Sequence, residues 1–363
     1  MEKWKWLVKE SITRPEDLAA VLEVDVEEIK RVSKEFPLRI TPYYLSLIRE
    51  KGDPIWKQVI PDIQELSGEG YDDPLHEEND SPVACITHRY PDRALFYVSA
   101  TCALYCRFCT RKRKVSDPKS VSDQEIQNGI DYIKNHREIR DVIVSGGDPL
   151  MLPDEKIDFI LGRLRSIPHV QILRIGTRVP VTLPQRITEQ LCAVLEKYHP
   201  LFINTHFNHP REITQESRRA CGMLAIAGIP LGNQSVLLRG VNDSPKVMKQ
   251  LVHKLLTARV RPYYIYQADL VRGTEHFRTS IKKGLEIIRS LRGFTSGLAI
   301  PHYVIDAPGG GGKIALIPNP VIQETDDEII LKNFEGNLYK YPTKVRHENK
   351  ALEPFPEPVE LSA

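Results

Sequence analysis

Short apolar runs alternate with longer polar and amphipathic segments through the middle of the chain, and this alternation restricts the possible folds more than any other feature. The runs lie at residues 94–99, 141–145, 171–176, 201–205, 230–237, 261–266 and 299–305. The segments between them are long enough for crossover helices, so the pattern predicts parallel β/α units in a barrel or a doubly wound sheet. In both architectures the loops that follow the strands carry the functional residues.

The alternating region divides the chain into three predicted parts. Residues 1–82 form an N-terminal region of short helices that ends in a polar arm, residues 83–306 form the β/α region, and residues 307–363 form a C-terminal extension. Turn residues between two strand-like runs predict that the extension contains a hairpin between residues 328 and 341.

The composition predicts a soluble protein. The chain has 363 residues, 41% of them hydrophobic, and a formal net charge of +2. No apolar stretch is long enough to cross a bilayer, and the first ten residues are too charged for a signal peptide. The balanced charge provides no broad basic surface for nucleic acid. We therefore expect a cytoplasmic protein that binds small molecules, with no membrane or nucleic-acid partner.

Three of the six cysteines form a CxxxCxxC run, as Cys102, Cys106 and Cys109. A four-iron cluster normally takes four thiolates, so three in one short loop leave one iron open to a cofactor or substrate. An open iron is what radical S-adenosylmethionine (SAM) chemistry requires. Structural zinc needs four ligands, and no second cysteine pair exists. We therefore interpret the run as the ligands of a [4Fe–4S] cluster, with zinc or a chance grouping as weaker alternatives.

Ser145, Gly146, Gly147 and Asp148 directly follow one of the predicted strands. Paired glycines allow a ligand to approach the backbone closely, and the Asp148 carboxylate can accept from an ammonium group. Glycines after strands are also common turn residues. With the cysteine loop upstream, we expect this segment to bind the methionine amino group of SAM.

Four consecutive glycines precede Lys313. Such a run loses backbone entropy on folding and indicates that close approach or mobility is required there. A nucleotide-binding P-loop does not fit, because Ile314 follows the lysine where Ser or Thr is needed. We interpret Lys313 as a Schiff-base lysine for pyridoxal phosphate, carried on a flexible lead. A surface loop with an uninvolved lysine is the alternative.

Charged residues near the predicted strand ends are candidates for substrate binding. Asp269 and Asp306 follow strand-like runs, so both carboxylates are expected at one pocket, where they suit a cationic substrate tail. Either residue could instead be a helix cap or a turn residue. Arg111 is a candidate for the substrate carboxylate, and Arg89 for a phosphate. The basic run 111–114 could also be a solvated face.

Several longer motifs occur in the order typical of one enzyme family. They are 87–93 (THRYPDR), the cysteine loop through Arg111, 145–148 (SGGD), 204–210 (NTHFNHP), 232–243 (GNQSVLLRGVND), 264–270 (YIYQADL) and 306–313 (DAPGGGGK). On these residues the chain resembles the lysine 2,3-aminomutase family of the radical SAM superfamily. The resemblance extends from the N-terminal helices to about Tyr341.

The resemblance implies a partial (β/α)6-type radical SAM barrel with an N-terminal helical region and a C-terminal extension that contains β-structure. It implies a [4Fe–4S] cluster on the three cysteines and pyridoxal phosphate on Lys313. In this family a 5′-deoxyadenosyl radical, made from SAM at the open iron, starts migration of the substrate amino group from C2 to C3. An electron donor such as ferredoxin or flavodoxin is also implied. Phe108 and Gln234 would join 145–148 in binding SAM, and Arg89 would bind the phosphate.

By the same resemblance, Arg111 binds the substrate carboxylate, and Asp269 and Asp306 bind the distal ammonium of lysine. The implied enzyme is an isomerase that converts L-lysine to β-lysine (3,6-diaminohexanoate). Glutamate-specific relatives are expected to replace the acidic pair, because two buried carboxylates repel a substrate carboxylate. Arginine as the substrate, or lysine destined for modification of a translation factor, are the alternatives.

The C-terminal tail departs from the clostridial-type pattern. Those relatives carry a cysteine-rich C-terminal zinc site that joins subunits, but the tail here contains no cysteine. We therefore expect a homo-oligomer that does not use that zinc.

The main competing interpretation is a radical enzyme that modifies a protein or an RNA. It predicts that residues 111–114 grip a polymer across a broad basic surface, and the balanced charge argues against such a surface. A non-catalytic cluster protein would leave the glycine run and the acidic pair without a purpose.

Overall fold

The computed structural model describes residues 2–66, 68, 70–115 and 121–343. Within these residues the helices are α1 (Lys3–Lys9), α2 (Pro15–Ala19), α3 (Val26–Glu35), α4 (Pro42–Leu45), α5 (Trp56–Val59), α6 (Asp123–Asn135), α7 (Asp154–Arg165), α8 (Val179–Thr182), α9 (Glu189–Glu196), α10 (Gln215–Ile226), α11 (Pro245–Thr257) and α12 (Ile281–Leu291). The strands are β1 (Ile86–Tyr90), β2 (Arg93–Ser99), β3 (Asp141–Gly146), β4 (Ile172–Gly176), β5 (Leu201–Thr205), β6 (Leu231–Leu237), β7 (Arg261–Gln267), β8 (His302–Ala307), β9 (Gly312–Ala315), β10 (Val321–Glu324), β11 (Glu328–Lys332) and β12 (Leu338–Pro342).

Strands β1 to β9 form one sheet in chain order. Strands β2 to β8 run parallel, while β1 and β9 pair antiparallel with β2 and β8 at the two edges. Helices α6 to α12 lie in the crossovers between the parallel strands. The two edges meet where the backbone N–H of Lys313 donates to the Tyr90 hydroxyl at 2.9 Å. The sheet is a nearly closed barrel, which confirms the predicted fold class.

Side chains alternate between the two surfaces of this barrel. In β3, Val142 and Val144 are buried in the core against the helices. Asp141, Ile143 and Ser145 of the same strand line the interior cavity. This period of two explains why polar residues can occupy alternate positions of an otherwise apolar strand.

All seven predicted parallel strands are present, and the last was misplaced by three residues. The apolar run 299–305 was predicted as a strand, but Gly297–Ala299 is a turn of 3-10 helix and β8 begins at His302. Strands β1 and β9 were not predicted. Three of the four residues of β9 are exposed, so it has no apolar run to indicate it.

The N-terminal helices pack against the barrel and share its core. Tyr44 is fully buried, and its hydroxyl donates to Glu212 at 2.5 Å. The hydroxyl of Thr41 donates to the backbone carbonyl of Thr182 at 2.8 Å. The N-terminal region is therefore positioned to support the barrel, although the predicted boundaries near residues 82 and 306 stay predictions.

The C-terminal extension contains a separate antiparallel sheet of β10, β11 and β12. Strands β11 and β12 pair in register, with Leu331 opposite Tyr339, which confirms the predicted hairpin. Residues of the predicted extension beyond 343 lie outside the described residues. None of the helices in the described ranges has the length and apolar character that a membrane span requires.

Candidate active site

The barrel encloses a cavity of about 690 Å³, a size typical of small-molecule sites. Its lining includes every site residue that the sequence singled out: Arg89, Cys102, Cys106, Phe108, Cys109, Arg111, Ser145, Gly146, Gly147, Asp148, Gln234, Asp269, Asp306 and Lys313. The fold thus brings these residues to one place.

Buried residues of the N-terminal region hold the cysteine loop, which follows β2. The Arg107 side chain is 2% exposed, and its Nε and Nη2 donate to Glu65 at 2.8 and 2.6 Å. Its other bonds go to the backbone carbonyls of Phe36 and Pro37. The backbone N–H of Arg107 donates to the carbonyl of Gln58 at 2.9 Å. The loop is therefore fixed by contacts outside the barrel strands.

The three cysteines fit an iron–sulfur cluster. Burial raises the pKa of Cys109 to about 11 and the pKa of Cys102 well above its usual range, so these thiols need a cation to ionise. Cys106 Sγ accepts a hydrogen bond from Arg178 at 2.7 Å. No three His, Cys, Asp or Glu side chains in the described ranges converge on a point as one metal ion requires. In a four-iron cluster each thiolate binds a different iron, so such convergence is not needed.

The two glycines at the end of β3 are required by the chain itself. Gly146 has a φ of 147°, a region that favours glycine, and a Cβ there would clash with the carbonyl oxygen of Ser99. A Cβ on Gly147 would lie 2.7 Å from the carbonyl oxygen of Thr101. We predicted that a ligand approaches these glycines closely. In the structure the backbone of residues 99–101, which leads into the cysteine loop, lies against them.

Asp148 already has protein partners for its carboxylate. It accepts from the Thr177 hydroxyl at 2.7 Å and from the backbone N–H groups of Leu150, Arg178 and Val179 at 3.1, 2.7 and 3.1 Å. Burial raises its pKa to about 6 despite these bonds. Four donors nearly saturate a carboxylate, so Asp148 shapes the turn after β4 and has little capacity left for the SAM ammonium.

Arg111 forms a fork with an acidic residue of the N-terminal arm. Its Nε and Nη2 donate to Glu77 at 3.1 and 2.8 Å, and its Nη1 donates to Ser145 Oγ at 3.4 Å. Lys114 also contacts Glu77, at 3.3 Å. Burial opposes ionisation of Glu77, but the charge and hydrogen bonds of Arg111 and then Lys114 lower its pKa to about 2. The basic run is therefore not a solvated face.

The arm, residues 70–81, contributes to the cavity wall and is here called the strap. Backbone hydrogen bonds tie it to three places: Tyr71 to Leu270, Gly309 to Pro74, and His88 to Asp80. Leu75, Glu77 and Asp80 of the strap line the cavity. The strap thus forms part of the cavity wall and holds Arg111 through Glu77.

Lys313 lies on edge strand β9, directly opposite Asp306 of β8. Its Nζ contacts both Asp306 oxygens at 2.9 and 3.1 Å and lies 5.3 Å from the centroid of the Tyr266 ring. Gly309, Gly310 and Gly312 have φ values of 69°, 77° and 82°. The glycine run is thus a tight turn between two strands, and its backbone conformation explains the glycines without any need for mobility.

Asp269 is a buried carboxyl group that lines the same cavity as Asp306. Burial raises the pKa of Asp269 to about 7, and the nearby Asp306 carboxylate adds to the shift. In this structure the Lys313 ammonium occupies Asp306. A second cation can bind Asp306 fully only after Lys313 has left it.

The other predicted residues are less enclosed or are already packed. Arg89 is partly exposed and lies 3.8 Å from Asp80 of the strap. Phe108 is buried, and its ring centroid lies 5.5 Å from that of His206 and 6.3 Å from that of Phe277. Gln234 lies on β6 and lines the cavity. Their predicted roles toward SAM and phosphate stay predictions.

Residues 96–252 match the family model of the radical SAM superfamily, and residues 288–357 match a model described as lysine-2,3-aminomutase. L-lysine 2,3-aminomutase of Methanococcus maripaludis is 56% identical over 93% of this chain and 81% of that protein. The chain belongs to the lysine 2,3-aminomutase family. L-lysine 2,3-aminomutase of Clostridium subterminale is 53% identical over 95% of the chain and 85% of that protein. Glutamate 2,3-aminomutase of Clostridioides difficile is 48% identical over 93% and 82%.

Membership confirms the predicted enzyme class and activity: radical SAM lysine 2,3-aminomutase chemistry, an isomerase reaction. The superfamily also implies SAM and a [4Fe–4S] cluster.

Sequence reasoning missed several residues of the aminomutase site. Arg178 stands just after β4, at the strand end where Asp148 and Asp269 were sought, so the same rule could have found it. Glu77 lies 34 residues before its partner Arg111, and Glu65 lies 42 residues before its partner Arg107. No local pattern indicates such pairs.

Proposed function

We propose that this aminomutase converts L-lysine to β-lysine. The observation that carries the proposal is the pair Asp269 and Asp306, which shares one cavity with Lys313 and the cysteine loop. Burial and then the charge of Asp306 raise the pKa of Asp269, so the ionised pair gains most from a bound cation. The distal ammonium of lysine supplies that cation.

Lys313 holds pyridoxal phosphate, with Arg89 at the phosphate. The covalent link would remove Lys313 from Asp306 and make the acidic pair available to the substrate. Arg111 binds the substrate carboxylate through the Nη1 side, because Nε and Nη2 are held by Glu77. These contacts fix the substrate at both ends and leave C2 and C3 between them.

Cys102, Cys106 and Cys109 hold the [4Fe–4S] cluster, and SAM lies along residues 145–147, next to the turn that Asp148 shapes, with Phe108 and Gln234. When bound, the cluster and SAM supply the 5′-deoxyadenosyl radical with an electron from a donor such as ferredoxin or flavodoxin, and pyridoxal phosphate supplies a conjugated ring that accepts the radical. As part of the cavity wall, the strap would limit access of water to the reacting atoms.

The acidic pair also accounts for selectivity against glutamate. A substrate carboxylate placed against Asp269 and Asp306 would add a third negative charge to a buried site, which is strongly unfavourable. The 48% identical relative is named as a glutamate enzyme, so a similar framework can serve a substrate with a different side chain. Arginine also has a cationic side chain, and the assay described next distinguishes it from lysine as the substrate.

The test is an anaerobic assay of the protein reconstituted with iron, sulfide and pyridoxal phosphate. Lysine, arginine and glutamate are each supplied with SAM and reductant, and β-isomers are separated by chromatography. We expect β-lysine. Asp306→Asn should raise the KM for lysine, whereas Asp131→Asn, an exposed change on α6, should not. β-Arginine as the sole product would show that arginine, not lysine, is the substrate. SAM cleavage without any isomer would overturn the proposal.

A further inference from the structure

We propose that Arg178 sets the reduction potential of the cluster, acting through Cys106. The inference rests on the proposed ligand set of Cys102, Cys106 and Cys109. It goes beyond that set because it assigns a tuning role to a residue that is not a ligand.

The Arg178 guanidinium is aimed at the sulfur. Its side chain is 10% exposed, and Nη1 donates to Cys106 Sγ at 2.7 Å. Nε donates to the backbone carbonyl of His206 at 3.1 Å. Nη2 donates to Gln58 at 2.6 Å and to Glu212 at 2.8 Å. Arg178 therefore bridges a buried carboxylate on one side and a cysteine of the loop on the other.

The residues around Arg178 hold this geometry rigidly. Glu212 is fully buried and also accepts from the Tyr44 hydroxyl at 2.5 Å and from the backbone N–H groups of Asn208 and His209 at 2.6 and 2.7 Å. The backbone N–H of Arg178 is in turn bound by Asp148. Because each partner is itself fixed, the guanidinium is preorganised as a donor and cannot turn away at low cost.

A fixed cation at a ligand sulfur stabilises the reduced cluster. Reduction adds one negative charge to the cluster, and both the positive charge and the N–H···S bond favour that state. The ring of Phe108 lies 5.0 Å from the guanidinium carbon, so the local surroundings are poorly solvated and the interaction is weakly screened. Arg178 therefore raises the potential and makes the cluster easier to reduce.

The test is a redox titration of the reconstituted protein in the absence of SAM and lysine. Electron paramagnetic resonance measures the reduced cluster at each potential. Three variants are compared. Arg178→Lys keeps the positive charge, Arg178→Gln keeps a neutral hydrogen-bond donor, and Arg178→Leu keeps neither the charge nor a donor. We expect the potential to fall in that order. For Arg178→Leu the ratio of reduced to oxidised cluster at a fixed potential should drop about tenfold, equivalent to about 59 mV for a one-electron couple.

Arg186 provides the matched control. Its side chain is 1% exposed and pairs with Asp154 at 2.6 Å, and it is not part of the cavity lining. Arg186→Leu removes a buried arginine of the same kind, so any general effect of that loss appears there too. We expect its cluster to keep the wild-type potential.

Unchanged potentials in Arg178 variants that carry a full cluster would overturn the inference. Weaker SAM binding at an unchanged potential would also overturn it and would assign Arg178 to the SAM site. If Arg178→Leu does not fold, the Lys and Gln variants decide by the same criterion. The ligand set and the role of Arg178 are tested separately by the iron and sulfide content of Cys106→Ala. A full cluster in that variant would refute the ligand set, whatever the potentials of the Arg178 variants.

Discussion

The two sides of the cavity are built in opposite ways. On the cluster side, the cysteine loop is held by ion pairs with almost no exposure to solvent: Arg107 is 2% exposed and Glu65 is fully buried. On the lysine side, the reactive residue lies on edge strand β9, where Lys313 is 35% exposed and its partner Asp306 13% exposed.

This difference matches what each side has to do. A cluster on the proposed cysteine ligands would stay in place through the reaction, so rigid, buried partners carry no functional cost. If Lys313 holds pyridoxal phosphate as proposed, its Nζ would have to leave Asp306, so its interactions have to be replaceable. An ion pair that is partly exposed is weak enough to exchange.

The largest expected effect is on activity. Lys313→Ala should abolish aminomutase activity and the absorbance of bound pyridoxal phosphate, while the cluster and the free energy of unfolding stay nearly unchanged. The matched control is Lys340→Ala, which removes an exposed lysine of β12 that pairs with Glu328 at 2.9 Å. Retained absorbance of lysine-bound cofactor in Lys313→Ala would show that another lysine holds it.

The largest expected effect on stability comes from the cluster side. Glu65→Ala leaves the buried cation of Arg107 unpaired, which should lower the free energy of unfolding by about 3–5 kcal/mol and reduce iron content. Glu286→Ala removes the partner of Lys283 on the surface of α12 and should cost less than about 1 kcal/mol. Urea denaturation measures both. Equal losses would mean that the cluster side is no more tightly fixed than the surface.

The same contrast explains how much the sequence could predict. Strand β5 was placed at residues 201–205, as observed, because an apolar strand has a strong local signal. The predicted site residues gathered in one cavity because parallel strands end at one edge, so knowing the strands is enough to group Asp148, Asp269 and Asp306.

What the sequence could not predict are the partners of those residues. Asp148 was predicted to bind a ligand, and that stays a prediction; three of the four donors to its carboxylate come from the turn after β4, about 30 residues away. The glycine run was interpreted as a flexible lead, but its φ values belong to a turn that only the pairing of β8 with β9 reveals. Side-chain pairing across the fold depends on tertiary geometry, which the local periodicity of a sequence does not predict.

The strap connects the two sides, and its expected effect is smaller. Glu77→Gln weakens the contacts to Arg111 and Lys114 and should loosen residues 70–81 by about 2 kcal/mol. Hydrogen–deuterium exchange should become faster in the strap and stay unchanged in α7, a helix of the barrel wall. Faster exchange throughout the protein would mean that Glu77 supports the whole fold and not the strap alone.

The smallest expected effect is a pH dependence on the lysine side. Asp269 has its pKa raised to about 7, so its charge disappears as the pH falls from 8 to 6 and the KM for lysine should rise, by about tenfold per unit once below the pKa. Unfolding cannot explain that rise: a carboxyl whose pKa is raised by folding stabilises the protein most below its ordinary pKa and loses that contribution as the pH rises through 7. The free protein thus gains stability from this group over the range in which it loses affinity for lysine. Asp269→Asn should show a high KM without this pH dependence, and a variant with the wild-type profile would place the titrating group elsewhere.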